Sequence, residues 1–270
     1  GLTLDPDVVE AGRRAMQLYG SGTTGSRMAN GSYRLHRSLE RALADAWAWP
    51  SAIVFSTGYQ ANLGTISALA GDGDHLLLDS DSHASIYDGA RMSAARTIVF
   101  RHNDPANLDR RLERLGDEAG RALIIVEGLY SMLGDQPPLT EFVDVKRRHG
   151  AWLLVDEAHS FGVFGETGLG LAQQEGVLDD VDFVVGTFSK SLGSVGGFCV
   201  SRHAELELLR LASRPYIFTA SPSPAVIAST HAALARIIDG RDLRRQLWDN
   251  VQRLYSALAE YGYHVGSDRP

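Results

Sequence analysis

Lys190 follows the apolar run 183–186 through Thr187, Phe188 and Ser189, and glycines stand at 193, 196 and 197. An amine placed there can form an imine with a carbonyl compound. The flanking hydroxyls can donate to an anionic group, and the glycines let backbone approach a ligand closely. Asp156 and His159 close a second apolar run, 152–155. A carboxylate at a strand end can neutralise a cationic ligand atom, or it can simply cap the core. His83 closes a third run within Asp81-Ser82-His83-Ala84-Ser85. Taken singly, the lysine reads as solvated surface and His83 as a satisfied polar residue. Taken together they supply an amine, an acid, imidazoles and anion donors, all directly after apolar runs. The histidines lack zinc-site spacing, so no metal is expected.

These residues need elements that bring them together. Short apolar runs at 53–55, 76–78, 98–100, 123–126, 152–155, 183–185 and 198–200 predict strands. Helical spacing fills most gaps between them, as at 108–115 and Leu139–His149. Near-continuous apolar strands alternating with helices predict an α/β fold, a mostly parallel mixed sheet covered on both faces. In such sheets ligands bind beyond the carboxyl ends of the strands, where the polar residues above fall. Asp5-Pro6 reads as an N-cap followed by proline at the first helical position, opening a helix over Pro6–Tyr19. A second helix covers 35–47. The last third is helical, at 203–212, Pro224–Ile238 and 243–261, and a new strand is expected at 262–265. Gly20, Gly22 and Gly25 fit G-x-G-x-x-G, with Glu40 beyond, but they follow a helix rather than a strand. A dinucleotide site is therefore rejected.

The composition narrows the function classes. Of 270 residues, 44% are hydrophobic and the net charge is −7. With no dense basic run, nucleic acid is not expected as a partner. Cys199 is the sole cysteine, which suits a reducing compartment and a cytoplasmic location. It lies in an apolar run and reads as core. No apolar stretch approaches the length of a membrane span, so membrane contact is left open only through segments elsewhere. The opening on Gly1 and the stop at Pro270 read as a piece of a longer protein.

The amine, acid, imidazoles and anion donors match what pyridoxal 5'-phosphate (PLP) demands of a protein. The motifs carry a resemblance as well. TFSKSLGSVGGF (187–198), VDEAHSFG (155–162), DSHASIYDG (81–89), FSTGYQAN (55–62), EGLYSMLGD (127–135) and RPYIFTAS (214–221) resemble segments of the α-oxoamine synthases, fold-type I PLP enzymes. The resemblance implies a fold-type I large domain over residues 20–261, preceded by an N-terminal helical segment, 1–19, and followed by the start of a small domain, 262–270. It implies that Lys190 carries PLP and later moves the substrate Cα proton, and that Asp156 pairs with the pyridine nitrogen. His159 and Ser131 bond the phenolic oxygen, and His83 stacks on the ring and touches the amino-acid carboxylate. Gly58, Tyr59, Thr187 and Ser189 hold the phosphate and ring edge. Thr219 reaches the cofactor phosphate of a neighbouring subunit in a homodimer with shared sites. The arginine gripping the substrate carboxylate falls beyond Pro270. The implied reaction joins an amino acid, L-serine by preference, to a long-chain acyl thioester such as palmitoyl-CoA. Carbon dioxide is lost and 3-ketosphinganine forms, the first step of sphingolipid synthesis. Glycine or alanine with another thioester is the alternative within the family. A non-catalytic PLP-fold subunit is the alternative outside it, and the presence of Lys190, Asp156, His159 and His83 argues against that.

Overall fold

Seven apolar runs become the strands of one sheet in the computed structural model, which describes residues 1–263. In chain order the elements are α1 (Pro6–Tyr19), α2 (Arg34–Trp47), β1 (Ser51–Phe55), α3 (Gly58–Leu69), β2 (His75–Asp79), α4 (Ala84–Met92), β3 (Arg96–Phe100), α5 (Pro105–Glu113), β4 (Ala122–Glu127), α6 (Leu139–His149), β5 (Trp152–Asp156), α7 (Leu171–Gln174), β6 (Phe183–Thr187), β7 (Gly197–Ser201), α8 (Leu209–Ala212), α9 (Arg214–Ile217), α10 (Pro224–Ile238) and α11 (Arg241–Glu260). The expected strand at 262–265 reaches past residue 263, outside the described residues.

The sheet order is β1-β7-β6-β5-β4-β2-β3. Pairings among β3, β2, β4, β5 and β6 are parallel, while β7 runs antiparallel to both β6 and β1. The carboxyl ends of β1, β2, β4, β5 and β6 therefore meet along one rim.

Alternation along each strand divides the core. Val54, Ile124, Val126, Leu153, Val155, Val184, Phe198 and Val200 pack on one face with α2, α6 and α10. Ile53, Phe55, Leu123, Ile125, Leu154, Val185 and Cys199 pack on the other with α3 and α4. Both faces are apolar because both are covered, which is why the strands read as unbroken apolar runs. Cys199 is fully buried, as its neighbours predicted, and burial pushes its thiol up to about 12.

The Asp5 cap is present: its carboxylate accepts from the Asp7 and Val8 amides at 3.0 and 3.2 Å. The helix read over 203–212 divides instead. A 3₁₀ turn spans Ala204–Leu208, α8 follows, and α9 restarts after Ser213 with Pro215 in its first turn. No side-chain cap closes the start at His203. The Gly20–Gly25 loop links α1 to the segment before α2 and follows no strand. The Gly25 carbonyl accepts from the Ser221 amide at 2.9 Å. Glu40 is buried, accepting from the Val54 amide, Arg27 and Arg210, so it is an internal anchor rather than a ribose ligand.

Candidate active site

A cavity of about 350 Å³ opens at the strand rim, bounded by the ends of β4, β5 and β6, the first turn of α3 and the start of α4. Ladder register builds it. Glu127 pairs across from Asp156, and Thr187 from Gly197, which in turn pairs with Phe55. Gly58, Tyr59, His83, Asp156, His159, Thr187, Ser189 and Lys190 all line it.

Strand parity decides which of two adjacent carboxylates serves the cavity. Leu154 points to the α3/α4 face and Val155 to the opposite one. Asp156 therefore returns to the α3/α4 face and Glu157 goes to the other. Asp156 accepts from Asn62 Nδ2 at 2.7 Å and from the Ala158 amide at 2.9 Å. Glu157 accepts instead from the Leu171 and Ala172 amides, both at 2.9 Å, and from the Ser160 hydroxyl. Burial pushes Glu157 up to about 6 even so. It fastens the start of α7 and takes no part in the cavity.

Burial also raises the pKa of Asp156, and the Asn62 and Ala158 donors oppose that rise. A dry carboxylate without a cation is costly. A protonated ring nitrogen against it would supply the missing countercharge. Asn62 Nδ2 also donates to Ser85 Oγ at 2.9 Å, and Ser85 Oγ lies 2.7 Å from His83 Nδ1. The Ser85 amide donates to the same Nδ1 at 3.2 Å, so a neutral His83 carries its proton on Nε2. His83 caps α4 through this contact. One hydrogen-bonded chain thus runs from Asp156 to the imidazole.

Lys190 sits on a braced turn. Phe188 is fully buried and stacks on Phe198 with ring centroids 5.6 Å apart. Its amide donates to the Gly196 carbonyl at 2.9 Å, and its carbonyl accepts from the Ser194 amide at 2.8 Å. Gly196 has φ +135, and a Cβ there would meet the Phe188 ring at 2.6 Å. The lysine opens to the cavity, yet desolvation by the surrounding protein still lowers its pKa, with Asp156 and Glu127 opposing. A lowered pKa increases the share of free amine, the form that attacks a carbonyl. His159 is pushed down to about 4, first by burial and then by Lys190 and His83. It is neutral at physiological pH and can donate or accept.

The anion donors converge from two elements. The first turn of α3 leaves the Gly58 and Tyr59 amides without intrahelical partners. Thr57 caps the helix through the Gln60 amide at 3.0 Å. A Cβ at Gly58 would lie 2.7 Å from the Thr187 side chain, so glycine alone lets this turn reach β6. Thr187 Oγ1 and Ser189 Oγ are 2.9 Å apart. A helix N-terminus flanked by two hydroxyls suits a phosphate. Amine, acid, imidazole and phosphate cradle together fit PLP.

Two expected residues stand elsewhere. Ser131 is exposed on the loop after β4 and does not line the cavity. Thr219 is also outside the lining and accepts from Gln60 Nε2 at 3.2 Å. Asn62, Ser85 and Glu127 also line the site, and the sequence alone gave none of them a role. Asn62 is four residues past Gly58 on the same helix, and a lone amide among Ala61, Leu63 and Gly64 was the available signal. Away from the cavity, Asp79, Asp81 and His102 bring ligand atoms within 4.8 Å of one another. His102 is already engaged there, 2.7 Å from both Asp79 and Asp135.

Sequence comparison matches residues 2–269 to the family described as aminotransferase class I and II, and the chain belongs to that family. Within it, the chain is similar to serine palmitoyltransferases. It is 57% identical over 266 residues to one from Caulobacter vibrioides, covering 98% of this chain and 66% of that protein. A solved serine palmitoyltransferase from Sphingomonas wittichii superposes with a TM-score of 0.97 at 54% identity, over 100% of this chain and 67% of that one. Another from S. paucimobilis, solved with bound PLP and myriocin, gives 0.96 at 50% identity, again over 100% and 67%. The chain thus spans about two thirds of the length of the relatives it matches.

Proposed function

We propose that this chain is the PLP-binding core of an enzyme that condenses an amino acid, L-serine by preference, with a long-chain acyl thioester such as palmitoyl-CoA, releasing the free thiol and carbon dioxide and yielding 3-ketosphinganine. The observation that carries the reading is the convergence of Lys190, Asp156, His83 and His159 on one cavity whose wall is a helix N-terminus with two hydroxyls. Residues 20–261 form the binding domain and 1–19 an N-terminal segment. The protein works as a cytoplasmic homodimer, with Thr219 facing the partner's cofactor. Among the described residues no helix is long and apolar enough to cross a membrane.

PLP, when bound, supplies a carbonyl carbon for imine formation and a ring that accepts electrons. The chain does the rest. Lys190 offers a partly desolvated amine on a turn braced by Phe188, and would take the Cα proton of the amino acid and return one. Asp156 holds the ring nitrogen protonated, fixed by two N–H donors. His83 covers one face of the cavity and presents Nε2–H to the substrate carboxylate. Held by that contact, the carboxylate would be kept from early loss while Lys190 removes the Cα proton. Neutral His159, with Ser131, would hydrogen-bond the phenolic oxygen. The Gly58 and Tyr59 amides, with Thr187 and Ser189, neutralise the phosphate.

Borohydride reduction of the PLP-loaded protein followed by peptide mapping tests the core of this reading. The label is expected on Lys190. A label on Lys146, the other lysine in the sequence, overturns it. Product analysis with serine, glycine and alanine tests the substrate. Glycine turnover far above serine turnover replaces the serine assignment and leaves the PLP assignment standing.

A further inference from the structure

Glu127 is a buried acid at the end of β4 to which no role has been given. Its carboxylate Oε1 accepts from the His83 amide at 2.5 Å. That bond ties β4 to the residue that begins α4, and so fixes where the imidazole stands. Glu127 also sits across the ladder from Asp156, on adjacent parallel strands. Two anions there, both buried, would repel in a low-dielectric pocket. Donor count decides which acid keeps its charge. Asp156 accepts two N–H groups, whereas Glu127 accepts one.

We propose that Glu127 is a positioning residue: a protonated carboxylic acid that sets His83 through its backbone amide and leaves Asp156 as the one anion of the pair. The inference rests on the cofactor reading only for its consequence, the placement of the imidazole over a bound ring. The surroundings support the protonated form. Burial first and Asp156 second raise Glu127, up to about 8, while the His83 amide and Lys190 oppose and Asp79 adds to the rise. The Tyr130 hydroxyl, from the following loop, accepts from the Glu127 amide at 3.4 Å and leaves the carboxyl untouched. A carboxyl held neutral still accepts through its carbonyl oxygen, so the tie to His83 does not require charge.

The test uses the intact protein, first stripped of PLP. E127M removes the acceptor at similar volume, and E127Q keeps it. Hydrogen exchange of peptides covering Ser82–Ser85 is expected to quicken about tenfold in E127M, the loss of one hydrogen bond, and to stay within about twofold of wild type in E127Q. Infrared difference spectra of wild type against E127Q at neutral pH are expected to show the C=O band of a protonated acid. Exchange unchanged in E127M, exchange as fast in E127Q as in E127M, or no protonated-acid band overturns the proposal. If E127M fails to fold, the E127Q exchange and infrared arms decide it alone. In the PLP-loaded protein the cofactor dissociation constant is expected to rise in E127M and to hold in E127Q. A wild type that binds no PLP refutes the cofactor reading, while the two PLP-free arms still judge Glu127.

Discussion

Replacing Asn62 by alanine isolates the link between the buried acid and the chemistry assigned to it. Asn62 donates to Asp156 at 2.7 Å in a site where Asp156 is 4% exposed and Asn62 3%. A hydrogen bond to a charged acceptor contributes about 1.5–3 kcal/mol. Its loss raises the proton affinity of Asp156 by the factor that this energy sets. The proton shared with a ring nitrogen moves toward the carboxyl by the same factor, about 10- to 100-fold, and a neutral ring is a poorer electron acceptor. The assay is exchange of the serine Cα proton in deuterated water, without acyl thioester. N62A is expected to slow exchange within that range. Ser85→Ala leaves the Asn62–Asp156 bond in place and should slow it far less. The cycle with D156N is decisive, because an amide carries no charge for Asn62 to stabilise. In the D156N background N62A is expected to change exchange by less than about twofold, a strong non-additivity. Exchange in N62A near the wild-type rate, or full additivity with D156N, refutes the assignment of Asp156 and its support by Asn62.

Other outcomes follow from neighbouring residues. His159, held near pKa 4 against an ordinary 6.5, binds fewer protons folded than unfolded below pH 6.5. Its contribution to stability is therefore complete above pH 6.5 and is lost as pH falls towards 4. After discounting for its partial exposure the loss is about 1–2 kcal/mol, and H159Q should flatten the PLP-free urea-midpoint profile between those values. Glu157→Ala removes a buried cap of α7 and is expected to cost about 2–4 kcal/mol in chemical denaturation. Because Glu157 faces away from the cavity, the PLP spectrum of folded E157A should be unchanged. Light scattering across dilution should show a two-fold assembly. T219A should then weaken PLP retention without altering the mass, and a monomer that keeps PLP contradicts the shared site.

The sequence by itself determined the strands, because a sheet covered on both faces leaves unbroken apolar runs at each one. It also determined that polar residues directly after those runs would cluster, since parallel strands bring their carboxyl ends to one rim. Lys190, Asp156, His83 and His159 were legible on that ground. Three matters waited for the tertiary structure. The physical reason that Asp156 enters the cavity while Glu157 turns away is strand parity against the helices packed on each face, and neighbouring letters do not reveal which face is which. Asn62, Ser85 and Glu127 became site residues only when α3, α4 and β4 were packed against β5. Hydrogen bonds between segments up to 94 residues apart have no periodic signature along the chain. The division of charge between Glu127 and Asp156 is likewise a property of burial and of the number of donors reaching each oxygen, and three-dimensional packing alone sets both.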